Sequence, residues 1–377
     1  MNPHLEEALE LAAQGLGRTS PNPAVGAVIV RDGAVIGRGF YTAKGVKHAE
    51  VLAIEDAAAR APGFVEGSTM YVTLEPHSHH GRTPPCVDAI IAAGISRVVS
   101  TMEDPNPLVH GRGFALLREA GVAVEIDSEY EARTMKLNEA FVHFMRTGLP
   151  LVTLKAAVTL DGKIAAPEDA ASPGWITSEQ ARRHVQTLRH RSDAILTGIG
   201  TVLSDDCRLT DRTGEERSRP LLRIVLDSQL RLPLESRMVS SCEGDVLVVT
   251  TSAAPIERRR KLESKGVRVE MFEGASGRAS LRATVEFLAR EKYLSLMIEA
   301  GSRVNWGALE SGVADKIFFY YAPKILGGMQ SLPVAGGAGR RRRDEAIVFR
   351  DVQLHSIALN EFAVEAWLEK EWLGVKP

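Results

Sequence analysis

The stretch TLEPHSHHGRTPPC, residues 73–86, decides how this chain is read once it is set beside His48-Ala49-Glu50. His48 begins a run with helical apolar spacing to Ala61, and Pro84-Pro85-Cys86 leads into a second such run, Val87 to Ala93. Reactive side chains therefore stand at two helix starts that can converge. The prolines fix entry into the second helix, where the helix dipole and a metal both push a thiol toward thiolate. Hydrolytic zinc chemistry needs three protein ligands, an open position for water, and a carboxylate that moves protons without binding the metal. His48, His77 and Cys86 can supply the ligands and Glu50 the shuttle. A His-x-Glu alone is ordinarily a surface pair, so the signal lies in the combination. His79 and His80, on the same loop, read as substrate or solvent contacts rather than ligands.

Outward from this motif, helices and strands alternate. Leu5 to Ala13 reads as a helix, Thr19-Ser20-Pro21-Asn22-Pro23 breaks it, and Val25 to Val30 reads as a strand. Asp32-Gly33 signals a two-residue hairpin into Ala34-Val35-Ile36, because both turn positions tolerate positive φ. Met70 to Leu74 and Arg97 to Ser100 read as strands, and Phe114 to Ala120 as a helix. The pattern is α/β. It pauses at Thr147-Gly148-Leu149-Pro150, the expected boundary. A second alternating unit follows, with strands at Leu151–Ala156, Ala194–Thr197, Leu222–Asp227, Val246–Thr250 and Leu294–Glu299, and helices at Ser178–Arg191 and near Ile256–Lys265. It reads as doubly wound. Thr177 or Ser178 is the expected N-cap, and Thr197-Gly198-Ile199-Gly200 places glycine after a strand, where backbone can approach a phosphate. That spacing is short of the full dinucleotide fingerprint.

At 377 residues the chain exceeds one core, and 44% apolar with 25% charged residues describes a soluble globular protein. A net charge of −2 gives no bias toward nucleic acid. The N-terminus lacks a signal-peptide pattern, and no run reaches the ~20 apolar residues of a membrane span. Three scattered cysteines, Cys86, Cys207 and Cys242, favour a reducing cytoplasm over a disulfide framework. Arg340-Arg341-Arg342-Arg343, after a glycine-rich stretch, reads as a solvated loop.

Zinc nucleobase deaminases carry H-x-E followed by P-C-x-x-C, with the glutamate as general acid and base. TLEPHSHHGRTPPC, with TSPNPAVGAVIV upstream and EDPNPLVHGRGFALLREAG downstream, closely resembles the deaminase half of the bifunctional riboflavin-biosynthesis family over about residues 5–146. LKAAVTLDGKIA, WITSEQARRHVQTLRHRSDAILTGIGTVLSDD, RIVLDSQ, MIEAGSRVNWGAL and YYAPKILGG resemble its reductase half. The resemblance implies a cytidine-deaminase-like α/β/α domain over 1–146 and a dihydrofolate-reductase-like α/β domain over 150–377. It implies zinc and NADPH as cofactors, a ribosylaminopyrimidine phosphate as substrate, and a homo-oligomer as a possible assembly. Ala157, Trp175, Thr201, Asp205, Ser228 and the loop Gly301, Ser302, Arg303, Val304, Asn305, Trp306 would hold NADPH. Lys155, Leu209, Arg212 and Glu299 would hold the ribosyl substrate, with Arg212 toward its phosphate.

The chain departs from the family pattern at several positions. His77 stands where a cysteine is usual, which leaves the zinc centre one unit more positive. Leu52 and Tyr41 replace residues expected to line the pyrimidine pocket, Cys207 replaces a proline, and Ser172-Pro173-Gly174 alters the stretch before Trp175. By residue type alone Trp175 reads equally as core, and Cys207 and Cys242 as inert thiols. Two further readings follow from His77, Leu52 and Tyr41: a reductase with a metal-poor first domain, or a docking module for a separate deaminase. The retained Glu50 argues against both.

Overall fold

The computed structural model describes residues 2–79, 84–107, 109–167, 174–274 and 276–369; His80, the 81–83 segment and 172–173 lie outside them. Two compact units emerge, Met1–Gly148 with Glu216–Arg219, and Leu149–Glu215 with Pro220–Pro377.

In the first unit, helix α1 (Pro3–Ala13) starts at Asn2, whose side chain accepts from the His4 and Leu5 N–H groups, with proline at the first helical position. Strands β1 (Gly26–Arg31) and β2 (Ala34–Phe40) form the expected hairpin, with Asp32 and Gly33 at φ of 51° and 79°. Then follow α2 (Ala49–Arg60), β3 (Thr69–Val72), α3 (Cys86–Ala92), β4 (Arg97–Ser100), α4 (Arg112–Glu119), β5 (Ala123–Ile126), α5 (Glu131–Leu137) and α6 (Glu139–Thr147). Among the described residues the sheet order is β2-β1-β3-β4-β5, antiparallel at the hairpin side and parallel from β3 onward. One face packs Ala27, Ile29, Met70 and Val98 against Ala53 and Ala57 of α2, Ile90 of α3 and Phe114 of α4. The other face packs Val28 and Val99 against Leu5, Ala8 and Leu9 of α1. Helices on both sides of one sheet make the α/β/α layering, and the side with α2 and α3 carries the ligand motif.

The second unit opens with β6 (Leu151–Thr159), longer than expected, and β7 (Lys163–Ala165). Helix α7 (Glu179–Arg191) is capped by Ser178, whose hydroxyl accepts from Ala181 N–H. The chain continues through β8 (Ala194–Gly198), α8 (Ile199–Asp205), β9 (Leu222–Leu226), α9 (Arg237–Ser240), β10 (Val246–Thr250), α10 (Ile256–Glu263), β11 (Arg268–Met271), α11 (Leu281–Arg290), β12 (Ser295–Ile298) and α12 (Ser302–Glu310). It ends in β13 (Lys316–Ala322), β14 (Leu332–Pro333), β15 (Phe349–Ala358) and β16 (Glu361–Leu368). Among the described residues a nine-stranded sheet runs β11-β10-β9-β8-β12-β6-β13-β16-β15. It is parallel from β11 to β13, then closes with antiparallel β16 and β15, which extends the doubly wound expectation. The parallel strands are apolar on both faces, as burial under two helix layers requires.

Candidate active sites

Residues 48–50 and 77–86 meet at two helix starts. His48 is the N-cap of α2, Glu50 lies in its first turn, and Cys86 is the first residue of α3. His77, on the loop after β3, places Nδ1 3.1 Å from Cys86 Sγ, and His48 Nδ1 lies 3.3 Å from the same sulfur. The His48 and His77 rings are 4.4 Å apart. One ligand atom from each residue falls within 4.8 Å of the other two. A zinc ion with bonds of about 2.0–2.3 Å to nitrogen and sulfur spans separations of this size. The donor set fits zinc: two imidazoles and one sulfur, with a buried carboxyl beside them.

Glu50 is 3% exposed, and burial raises its carboxyl above the ordinary range while His48 and a hydrogen bond with Cys86 pull it back. Burial, with Glu50 beside it, likewise drives the Cys86 thiol upward. A cation there would reverse that balance. Tyr41 is buried with its ring edge-on to His48 at 5.3 Å, and its hydroxyl accepts from Asn22 Nδ2 at 2.7 Å. His79 is exposed, with its ring 5.3 Å from that of His77, and is not in the ligand cluster.

The ligand loop has its own anchor, which the motif alone did not reveal. Glu75 is buried and accepts from the backbone N–H groups of Asp104 at 3.0 Å, Gly111 at 2.8 Å and Gly113 at 2.8 Å. One carboxylate thus ties the segment leading to His77 to the start of α4. Gly113 makes the approach possible: a Cβ there would lie 2.0 Å from the Pro76 carbonyl oxygen.

In the second unit, candidate residues gather at the carboxyl ends of parallel strands, where open α/β sheets bind ligands. Glu299 follows β12, and Lys155 comes from adjacent β6 with Nζ 3.2 Å from Glu299 Oε1. Arg189 of α7 completes the cluster with Nη2 2.9 Å from Oε1 and Nε 3.2 Å from Oε2, a two-point contact. Burial pushes the Glu299 carboxyl up, but Lys155 and Arg189 outweigh it and bring it down to about 2. Burial pulls Lys155 below its ordinary range against the opposing pull of Glu299. Sequence reasoning missed Arg189. It sits in a strongly basic helix, and only its burial and pairing set it apart from solvated neighbours.

Ala157 lies two residues beyond Lys155 on β6, on the same strand face. Gly198 and Val304, and Thr201 and Gly301, are in contact: a Cβ on Gly198 would come 2.9 Å from Val304, and one on Gly301 would lie 3.7 Å from Thr201 Oγ1. The first turn of α12 is gripped by Ser302 Oγ donating to the Pro333 carbonyl and by Asn305 Nδ2 donating to Val334. Asn305 Oδ1 and Trp306 Nε1 are buried without a partner among the described residues, groups suited to a polar ligand. Ser228 Oγ accepts from Ala279 N–H, Arg303 is exposed, and Asp205 is exposed at the end of α8. Leu209 is buried at φ 54°, a left-handed conformation that costs an L side chain about 1 kcal/mol. Arg212 is exposed. Trp175 is not a core residue: it is 71% exposed, with the Arg182 guanidinium 4.7 Å from its ring. Burial and neighbouring acids push the Cys207 thiol up to about 12, as an inert thiol requires. The arginine run is exposed, with Arg340 over the Trp306 ring and Arg342 paired with Asp344 and Glu345.

Residues 150–358 match the family described as the RibD C-terminal domain, and residues 2–102 match the cytidine and deoxycytidylate deaminase zinc-binding region. The riboflavin biosynthesis protein RibD of Escherichia coli strain K12 is 41% identical over 348 residues, covering 88% of this chain and 90% of that protein. Its counterpart in Actinobacillus pleuropneumoniae is 39% identical over 344 residues, covering 91% and 89%. The solved structure of Acinetobacter baumannii RibD, form 1, aligns with a TM-score of 0.85 at 34% identity over 98% of both chains. A diaminohydroxyphosphoribosylaminopyrimidine deaminase/5-amino-6-(5-phosphoribosylamino)uracil reductase from Thermotoga maritima aligns with a TM-score of 0.82 at 34% identity, over 97% of this chain and 98% of that one.

Proposed function

Because the chain belongs to the RibD family of bifunctional riboflavin-biosynthesis enzymes, we propose that its two sites perform the deamination and the reduction through the side chains just described. The substrate is a ribosylaminopyrimidine 5′-phosphate, whose ring is deaminated by the first site and whose ribosyl group is reduced to ribityl by the second.

His48, His77 and Cys86 would hold zinc, which when bound supplies the Lewis acidity that activates water for attack on the amino-bearing ring carbon. Glu50 takes the proton from the attacking water and delivers it to the departing ammonia. Its burial within the ligand cluster is the observation that supports this role: a carboxyl raised by burial can hold a proton between the two transfers. In the second unit the residues from Gly301 to Trp306, with Ala157, Trp175, Thr201, Asp205 and Ser228, would hold NADPH, the source of hydride for C1′ of the ribosyl group. Lys155 and Glu299, locked together and steadied by Arg189, orient the sugar, Leu209 packs beside it, and Arg212 meets its phosphate.

Free cysteines support a cytoplasmic location. An edge strand, β15, that exposes Val352 and Leu354 supports association of two copies. No described helix is long and apolar enough to cross a membrane.

The deciding experiment measures deamination of the diaminopyrimidine ribosyl phosphate by the zinc-supplemented protein without NADPH, beside Glu50→Gln. Wild-type turnover with a loss of about 10²- to 10⁴-fold in the variant, at unchanged zinc content, is expected. Equal turnover in both would remove Glu50 from the chemistry. No turnover in the wild type, with reduction intact, would favour the metal-poor alternative.

A further inference from the structure

Helix α7 grips the segment carrying Arg212 at three points. Arg212 N–H donates to Gln186 Oε1 at 3.0 Å, Arg189 Nη1 donates to the Thr210 carbonyl at 3.0 Å, and His190 Nδ1 lies 2.9 Å from Asp211 Oδ2. The first two hold backbone. The third joins two side chains that are only 4% and 7% exposed. Asp211 gives its other oxygen, Oδ1, to the Thr213 N–H and hydroxyl, each at 2.9 Å, and that hydroxyl also lies 3.4 Å from His190 Nδ1. Glu215 Oε2 stands 3.5 Å from His190 Nε2. His190, Asp211 and Thr213 thus form a clasp around the turn on which Arg212 sits. The Arg212 guanidinium itself makes no hydrogen bond or ion pair among the described residues.

Two physical consequences follow. An arginine on a loose loop must lose backbone as well as rotamer freedom to meet an anion, whereas one on a fixed turn has only its rotamers to order. A carboxylate adjacent in sequence would offset the attraction of Arg212 for an anion, but both oxygens of Asp211 are engaged, Oδ2 by His190 of α7 and Oδ1 by Thr213 within the turn. We propose that His190 is a positioning residue for phosphate recognition: by binding Asp211 it locks the 211–213 turn and aims Arg212 at the 5′-phosphate of the ribosyl substrate. The proposal rests on the reading of Arg212 as the phosphate contact.

The test is steady-state reduction by the full chain, comparing 5-amino-6-(5-phosphoribosylamino)uracil with the same compound lacking its phosphate. Arg212→Ala should raise KM for the phosphorylated substrate roughly ten-fold or more and leave KM for the other within about two-fold. His190→Ala should act in the same direction on the phosphorylated substrate alone, at nearly unchanged kcat. His190→Asn, whose amide can still donate to Asp211, should recover most of the loss. Combining His190→Ala with Arg212→Ala should be no worse than Arg212→Ala alone, since one acts through the other. Thr213→Val is a milder change in the same clasp; it carries the same expectation should His190→Ala fail to fold by circular dichroism. A KM rise shared by both substrates, a loss confined to kcat, or full additivity of the double variant would overturn the role of His190. If Arg212→Ala does not distinguish the two substrates, the phosphate reading of Arg212 fails first, and the proposal falls with it.

Discussion

Asp104 shows what a single buried acid does to pH dependence. Burial raises its carboxyl to about 6, and Glu75 adds to the rise while the Asn106 N–H and His110 oppose it. The folded state therefore holds this proton more tightly than the unfolded chain does. Stability associated with it is fully present below the ordinary aspartate range and is lost as pH rises through about 6. Asp104→Asn keeps the acceptor for Asn106 and removes the titration. Thermal melts should show the variant gaining on the wild type between pH 4 and pH 7, and a gap constant across that range would contradict the assignment. The same scale marks what could be read in advance. The candidate ligands could be picked out because zinc chemistry demands particular atom types, and His48, His77 and Cys86, whose ligand atoms cluster within 4.8 Å, offer them. Arg189 and Glu75 were not, because their importance lies in what they touch: a basic residue in RRHVQTLRHR and an acid beside a proline carry no periodic signal.

Between α2 and β2 the elements approach so closely that only glycine fits. A Cβ on Gly39 would lie 2.3 Å from the Ala49 carbonyl oxygen, and one on Gly37 2.3 Å from that of Ala53. Both obstacles are backbone, which cannot swing aside as a side chain can. Gly39→Ala should thus displace the N-terminal end of α2, which carries His48 and Glu50, at a cost of roughly 1–3 kcal/mol. Deamination should fall sharply while reduction persists; assays of both steps on one preparation check this, and parallel loss of both would show that the damage is not local. Helix α2 was readable from its apolar spacing, and the start of α7 from its capping serine. The antiparallel end of the second sheet escaped notice, although β16, EFAVEAWL, alternates in part as a strand should. Its buried Glu365 is the reason: it pairs with Lys316 at 2.8 Å inside the sheet layer, so charge appears where an apolar residue would have announced a core strand.

At the scale of the whole molecule, the two candidate site clusters lie in different compact units and share no residue. A chain disabled at Glu50→Gln and another disabled at Glu299→Gln should therefore complement each other in solution. The mixture should convert the diamino substrate to the ribityl product after a lag while the deaminated intermediate accumulates, as chromatography of timed samples would show; absence of product would mean the intermediate does not leave the chain that makes it. The distribution of sulfur carries one more consequence. Of three cysteines only Cys86 stands in the candidate metal cluster, with Cys207 and Cys242 in the other unit and all three free of disulfides. A pair of thiolate ligands stripped of its ion can close on itself under oxidation. Two imidazoles and a single sulfur offer no such partner within the cluster, so oxidation by air cannot close a disulfide across it.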